Sequence, residues 1–254
     1  MKVVVLGSGN LATQLSLSLH AKGVNIIQIY SHTKENAFIL ANKINTSFTD
    51  KLEQINLDAD LYIYALSDRI LDSTLLKFPL PANAIHIHTA GSIPITVFEG
   101  LALKYGIFYP LQTFSKQRDI DFSQIPICIE ANSKVTENEL INLACLLNSK
   151  TYLINSEQRK KLHLAAVFAC NFSNYMYDLA STILNESGIS FEIIEPLIAE
   201  TASKIKSLSP YNAQTGPALR NDEITMEKHL DLLKNDAELS EIYKLLSKNI
   251  HKRH

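Results

Sequence analysis

Gly7-Ser8-Gly9-Asn10-Leu11-Ala12 is a G-x-G-x-x-A pattern set between an apolar run, Val3 to Leu6, and a helical one. In that position the first glycine permits a tight turn and the second lets a phosphate approach the backbone. A small residue at Ala12 lets helix and strand pack closely. The uncapped N–H groups and the positive end of the helix dipole then face an anion. A plain turn is the alternative reading of the two glycines. The strand–turn–helix context favours a dinucleotide cradle formed by Gly7, Ser8, Gly9, Asn10 and Leu11. About 20 residues on, an NAD site carries a carboxylate for the ribose 2′-hydroxyl. Here the chain reads Tyr30-Ser31-His32-Thr33-Lys34, with no carboxylate before Glu35. Ser31, His32 and Thr33 suit a 2′-phosphate, so the expected cofactor is NADP(H). Ser31 or Thr33 capping the next helix is the simpler alternative. The missing acid also speaks against an S-adenosylmethionine site.

Ligands of an open parallel sheet bind beyond the carboxyl ends of its strands. Three such ends are short loops of small or polar residues: Ala65-Leu66-Ser67-Asp68, His88-Thr89-Ala90-Gly91-Ser92 and Tyr109-Pro110-Leu111-Gln112-Thr113-Phe114-Ser115. They are the expected lining of a nicotinamide. His86 and His88 share one side of a strand but have no third ligand nearby, so no metal is expected; His86 reads as a core histidine with a hydrogen-bond partner. In a long helical pattern, His163 and Asn174 are eleven residues apart, which puts them within about 20° on an α-helical wheel. Asn171 lies on the same general side. A histidine there could serve as a general acid near neutral pH, and an asparagine could orient a carbonyl or carboxamide. On spacing alone, solvent exposure is the favoured reading. Thr215 and Arg220, in Gln214-Thr215-Gly216-Pro217-Ala218-Leu219-Arg220-Asn221-Asp222, could bind a carboxylate; the alternative is a helix–helix connection capped by Asp222.

Positioning such groups needs a scaffold, and the chain alternates accordingly. Short β-branched or apolar runs at Lys2–Leu6, 24–30, 61–66, 84–88, 106–109 and 125–130 alternate with helical stretches at 10–22, 34–43 and 68–77. Thr136 with Glu139 suggests a capping box for a further helix to Leu147. This predicts a parallel sheet covered on both faces. After a strand at 151–154 the pattern turns wholly helical: 156–186, a stretch from Ser190 interrupted by Pro196, then 222–233 and 237–251. The expected division is an α/β Rossmann-like domain, 1–154, followed by an all-helical domain, 155–254.

Composition narrows the function classes. The 254 residues carry a net charge of −2, and 46% are apolar. No single-sign field is available to recruit nucleic acid or an anionic membrane. Cys128, Cys145 and Cys170 are scattered in apolar contexts and read as reduced core residues. The N-terminal apolar run breaks at Gly7 before any signal-peptide cleavage region, and no apolar run reaches the ~18 residues of a membrane span. A cytoplasmic protein is expected.

Taken in order, "VVVLGSGNLATQL", "YALSDRI", "IHTAGSIPI", "FYPLQTFS", "KKLHLAAVFACNFSNYMYDLA", "PLIAETASKI" and "AQTGPALRND" resemble a family of two-domain Rossmann-like proteins whose helical half is a domain of unknown function. That family is similar to pyrroline-5-carboxylate reductases, deazaflavin-dependent NADP reductases and the 6-phosphogluconate dehydrogenase-like group. The resemblance implies an NADP(H)-dependent oxidoreductase with a 6-phosphogluconate dehydrogenase-like helical domain and a homodimer formed through it. It implies a small carbonyl, imine or carboxylate-bearing substrate at an interdomain cleft, with His163, Asn171, Asn174, Thr215 and Arg220 facing that substrate. One departure matters. β-Hydroxyacid dehydrogenases carry a catalytic lysine four residues before an asparagine, and here Val167 precedes Asn171 by four. That machinery does not transfer, and a non-catalytic NADP(H)-binding sensor or dimeric scaffold stands as the alternative.

Overall fold

The computed structural model describes every residue from Met1 to His254. Its strands are β1 (Lys2–Leu6), β2 (Asn25–Tyr30), β3 (Ser47–Thr49), β4 (Leu61–Tyr64), β5 (Ile85–His88), β6 (Lys104–Pro110), β7 (Ile127–Ala131) and β8 (Thr151–Leu153). They form one sheet in the order β3-β2-β1-β4-β5-β6-β7-β8. The first six follow the doubly wound order of dinucleotide-binding domains. All neighbouring pairs are parallel except β6 and β7, which run antiparallel with Tyr109 opposite Cys128.

Both faces of this sheet are buried, which is why its strands read as near-continuous apolar runs. Val3 and Val5 of β1 join Leu15 and Leu19 of α1 (Asn10–Ala21), Leu40 of α2 (Lys34–Lys43) and Leu143 of α4 (Lys134–Leu146) in one layer. Val4 and Leu6 join Tyr62, Tyr64, Phe98 and Leu71 of α3 (Asp68–Leu75) in the other. The period-2 geometry of β1 thus feeds two cores at once.

The structure corrects several local expectations. The three-residue β3 has too few residues to show a strand pattern in sequence. Ser67 is the N-cap of α3, just before the 68–77 stretch, and Asp68 sits in the first turn, where its charge complements the helix dipole. The Thr136–Glu139 spacing does not open α4. Ser133 caps it, accepting the Thr136 N–H, and Thr136 is buried. A full capping box occurs instead at α5 (Ser156–Ala166), between Asn155 and Gln158.

Two compact units divide the chain, Met1–Cys170 and Asn171–His254. In the first, Ile154, just after β8, and Leu162 of α5 pack on Ile107, Tyr109 and Cys128 of β6 and β7. Past α5 the helix widens into a π-helical segment, Val167–Phe172, before α6 (Ser173–Glu186). The second unit continues with α7 (Glu195–Lys204), where Pro196 sits in the first turn, α8 (Glu223–Leu232), capped by Asp222, and α9 (Ala237–Arg253). No residue of α6, α7, α8 or α9 is buried. Ile193, Leu197, Ile224 and Leu232 are each 66–82% exposed.

Candidate active site

The glycine loop assigns different work to its two glycines. Gly7 has φ +130°, and a Cβ there would lie 2.1 Å from the Ala65 carbonyl oxygen, so β1 and β4 leave no room for a side chain. Its N–H donates to the Tyr30 carbonyl at 2.8 Å. Gly9 is the N-cap of α1 in an extended conformation, and a Cβ there meets open space. No side chain caps α1 and no acid occupies its first turn. The helix therefore presents uncapped N–H groups and an unneutralised dipole beside a surface free of side-chain bulk, which fits a pyrophosphate.

Ser8 and Ser31 are both buried, and their hydroxyls are 2.7 Å apart. This bond ties the glycine loop to the end of β2. The Ser31 hydroxyl is thereby engaged within the protein, whereas His32, Thr33 and Lys34 are exposed. Thr33 is the N-cap of α2 but makes no side-chain capping bond. The hydroxyl, imidazole and ammonium of these three residues remain available beside the cradle.

At the next strand ends, the Ala65 backbone abuts Gly7, Leu66 is half-buried and Ser67 is exposed. Beyond β5, Thr89, Ala90 and Gly91 are buried. The Ala90 N–H donates to His88 Nδ1 at 3.1 Å. Burial, reinforced by the Arg159 guanidinium, holds the His88 pKa down at about 3, so this imidazole stays neutral. Ser92 donates to Asp68 at the start of α3, joining the β4 and β5 loops. His86 is a core residue: it stacks on Tyr62, and its two nitrogens contact the Tyr64 hydroxyl and the Pro81 carbonyl, each at 3.0 Å. No three His, Cys, Asp or Glu side chains cluster as metal ligands.

His163 of α5 reaches the same edge of the sheet. Its Nδ1 lies 3.0 Å from the Tyr109 hydroxyl at the end of β6. A Cβ on Gly91 would come within 2.6 Å of that nitrogen. Gly91 is therefore the floor on which the imidazole rests. Tyr109 is 8% exposed, and burial raises its pKa to about 12.

One turn before His163, Arg159 is 1% exposed and pairs with Glu130 of β7 at 2.6 Å. It also donates to the Ile93 carbonyl and to the Ser156 hydroxyl. Ser156 in turn donates to Glu130 at 2.7 Å and accepts the Ile95 N–H at 2.9 Å. This network pins α5 both to the sheet and to the loop that follows Gly91.

The remaining candidates belong to the helical unit. Asn171 is exposed. Asn174 lines a cavity of about 510 Å³ between α6 and α7, with Tyr177, Asp178, Phe191, Glu195 and Ile198. Asn171, Thr215 and Arg220 do not line it. Thr215 and Arg220 are exposed on the connection before α8, where Gly216 has φ +109°. The wheel relation between His163 and Asn174 does not survive, because the π-helical segment between them does not keep the α-helical advance per residue.

Arg159 escaped sequence reasoning, and Tyr109 was legible only as the start of a strand-end loop, not as a partner of His163. Tyr109 stands at a strand end, which was the available signal. Arg159 sits in a charged first turn, Glu157 to Lys161, that resembles a solvated face.

Residues 125–250 match the family described as a domain of unknown function, DUF2520. The chain is 46% identical to the provisionally named NADP oxidoreductase BF3122 of Bacteroides fragilis, with TM-score 0.95, covering 99% of this chain and 98% of that one. It is 13% identical to a reductive aminase from Aspergillus terreus solved with NADPH and ethyl levulinate, with TM-score 0.76 and coverage of 99% and 94%. It is 15% identical to the 1-pyrroline-5-carboxylate reductase of Streptococcus pyogenes, with TM-score 0.65 and coverage of 99% and 98%. At these identities the last two establish a shared fold. No curated protein sequence matches the chain.

Proposed function

The chain belongs to the family of two-domain Rossmann-like proteins with a DUF2520 helical half, and from that premise we propose that it is an NADP(H)-dependent oxidoreductase. The observation that carries the reading is the glycine loop: a left-handed Gly7 packed against Ala65, and an open Gly9 at an uncapped helix start. In this reading the backbone from Gly7 to Leu11 holds the pyrophosphate, and Ser8 and Ser31 brace it. His32, Thr33 and Lys34 meet the 2′-phosphate. Ala65 to Ser67, Thr89 to Gly91 and Pro110 border the nicotinamide, which supplies the hydride. The substrate is a small carbonyl, imine or carboxylate-bearing molecule. His163 offers it a proton.

A thermal-shift comparison tests this. NADP(H) at 100 times its dissociation constant is expected to stabilise the protein by about 2.7 kcal/mol, with a smaller shift for NAD(H) at equal concentration. No shift with either nucleotide overturns the reading and leaves a scaffold in its place.

The homodimer belongs to the same proposal. The helical unit spreads large apolar side chains over its surface without burying a residue of its helices. Exposed apolar area on that scale is the mark of an interface. A single species near twice the 28.4 kDa chain mass is expected in sedimentation velocity at micromolar concentration; a monomer there removes the dimer.

A further inference from the structure

We propose that Tyr109 and His163 form a proton-delivery pair, in which the Tyr109 hydroxyl locks the imidazole as its Nε2–H tautomer and Nε2–H is the group offered to the substrate. This rests on the oxidoreductase reading and adds to it a positioning residue, Tyr109, and an assigned atom, Nε2.

The tautomer follows from hydrogen-bond accounting. The one polar partner of the Tyr109 hydroxyl is His163 Nδ1, at 3.0 Å. Tyr109 is 8% exposed, and a buried O–H left without an acceptor costs about 1–3 kcal/mol. If Nδ1 carried the proton, the tyrosine oxygen would have to accept it, and its own O–H would have no acceptor. Tyr109 therefore donates, Nδ1 accepts, and the ring proton sits on Nε2. With its pKa at about 12 the phenol itself remains protonated, so it keeps a proton to donate to the neutral imidazole.

The imidazole is held by its neighbours and by the anchoring of its helix. Gly91 packs against its Nδ1 edge, leaving no space for even a methyl group. Tyr109 fixes the ring by hydrogen bond and meets it edge-on, with centroids 6.1 Å apart. Arg159, one helical turn earlier, anchors α5 to Glu130. Gly91 and Tyr109 lie at the carboxyl ends of β5 and β6, the edge at which a doubly wound sheet binds its ligands. A half-buried ring so restrained has its far nitrogen left to meet a ligand.

For a carbonyl substrate the step balances as follows. Hydride from the dihydronicotinamide forms the new C–H bond, and the C=O π pair moves to oxygen. That oxygen takes the Nε2 proton while Nδ1 takes the Tyr109 proton. When the alcohol leaves, Nε2 takes a proton from bulk solvent and Nδ1 returns its own to the phenolate, so one hydride and one solvent proton are consumed in all. The substrate is reduced by two electrons and the cofactor oxidised by two.

The test is ring-¹⁵N NMR of the full-length protein labelled at histidine, with and without NADP⁺. His163→Gln removes the His163 cross-peaks and so assigns them. The expected wild-type spectrum shows a protonated Nε2 and a hydrogen-bonded, unprotonated Nδ1. In Tyr109→Phe the Nδ1 resonance is expected to shift to that of a free acceptor. NADP⁺ is expected to shift Nε2 of His163 but not the buried ring of His86. A protonated Nδ1 in the wild type, an unchanged Nδ1 in Tyr109→Phe, or an Nε2 unmoved by NADP⁺ that binds by thermal shift each overturns the pair. Absence of NADP⁺ binding is a separate failure, of the oxidoreductase reading itself, and takes the pair with it.

Discussion

Arg159→Met is expected to destabilise the protein by about 3 kcal/mol, read as a lower midpoint in urea unfolding. Removing one partner of a buried ion pair typically costs about 3–5 kcal/mol, because the other charge is left uncompensated. Glu130 retains 17% side-chain exposure and its bond from Ser156, which places the expectation at the low end of that range. The Ile93 carbonyl and the Ser156 hydroxyl also lose their guanidinium donor. The double variant Glu130→Leu/Arg159→Met separates charge from packing. If the stranded carboxylate is the main cost, the double variant recovers most of the loss. If it is no more stable than the single variant, the guanidinium matters chiefly as packing and as a donor to the loop.

Gly7 and Gly9 are expected to fail in opposite ways. Gly7→Ala puts a Cβ into the Ala65 carbonyl and asks a non-glycine residue to hold φ +130°. Backbone strain of about 1–3 kcal/mol adds to an overpacking cost of similar size, so a loss of about 3 kcal/mol or more is expected without any ligand. Gly9→Val meets no neighbour, and its extended conformation suits a β-branched residue. The apo protein is expected to stay within about 1 kcal/mol of wild type, while the NADPH-induced stabilisation is lost. Gly9→Val that still responds to NADPH reduces the loop to a turn.

The contrast between these glycines was half-legible in the sequence. A G-x-G-x-x-A pattern after a short apolar strand is a local signal, and local signals survive in a single chain. The parallel sheet covered on both faces followed from the same logic, since alternating β and α runs leave few ways to build a sheet, but the antiparallel β6–β7 pair did not. What escaped depends on pairing at a distance. Tyr109 acquires its role from a histidine 54 residues away, and Arg159 from a glutamate 29 residues back. Nothing in the composition of the first turn of α5 separates a buried arginine from the exposed Lys160 and Lys161 beside it. The wheel argument for His163 and Asn174 failed for a related reason: a π-helical segment has no apolar period that distinguishes it from the α-helix around it.

The single antiparallel pairing in the sheet decides which end of α5 carries the histidine. Because β7 and β8 run against β6, the chain sets out from the ligand-binding rim on each of them and travels away from it. It leaves Leu153 on the outbound leg, and α5 must make the return trip. Arg159 grips Glu130, which is level with Ile107, and His163 then meets Tyr109, two residues further along β6. Four residues of helix climb about 6 Å and two residues of strand about 6.6 Å, so the two legs keep step. Had β8 run with β6, the chain would have emerged at the rim, and α5 would have carried His163 to the far side of the sheet. The reversal is thus a routing device: it turns an ordinary connecting helix into the ferry that brings an imidazole back to the rim at the carboxyl ends of the parallel strands.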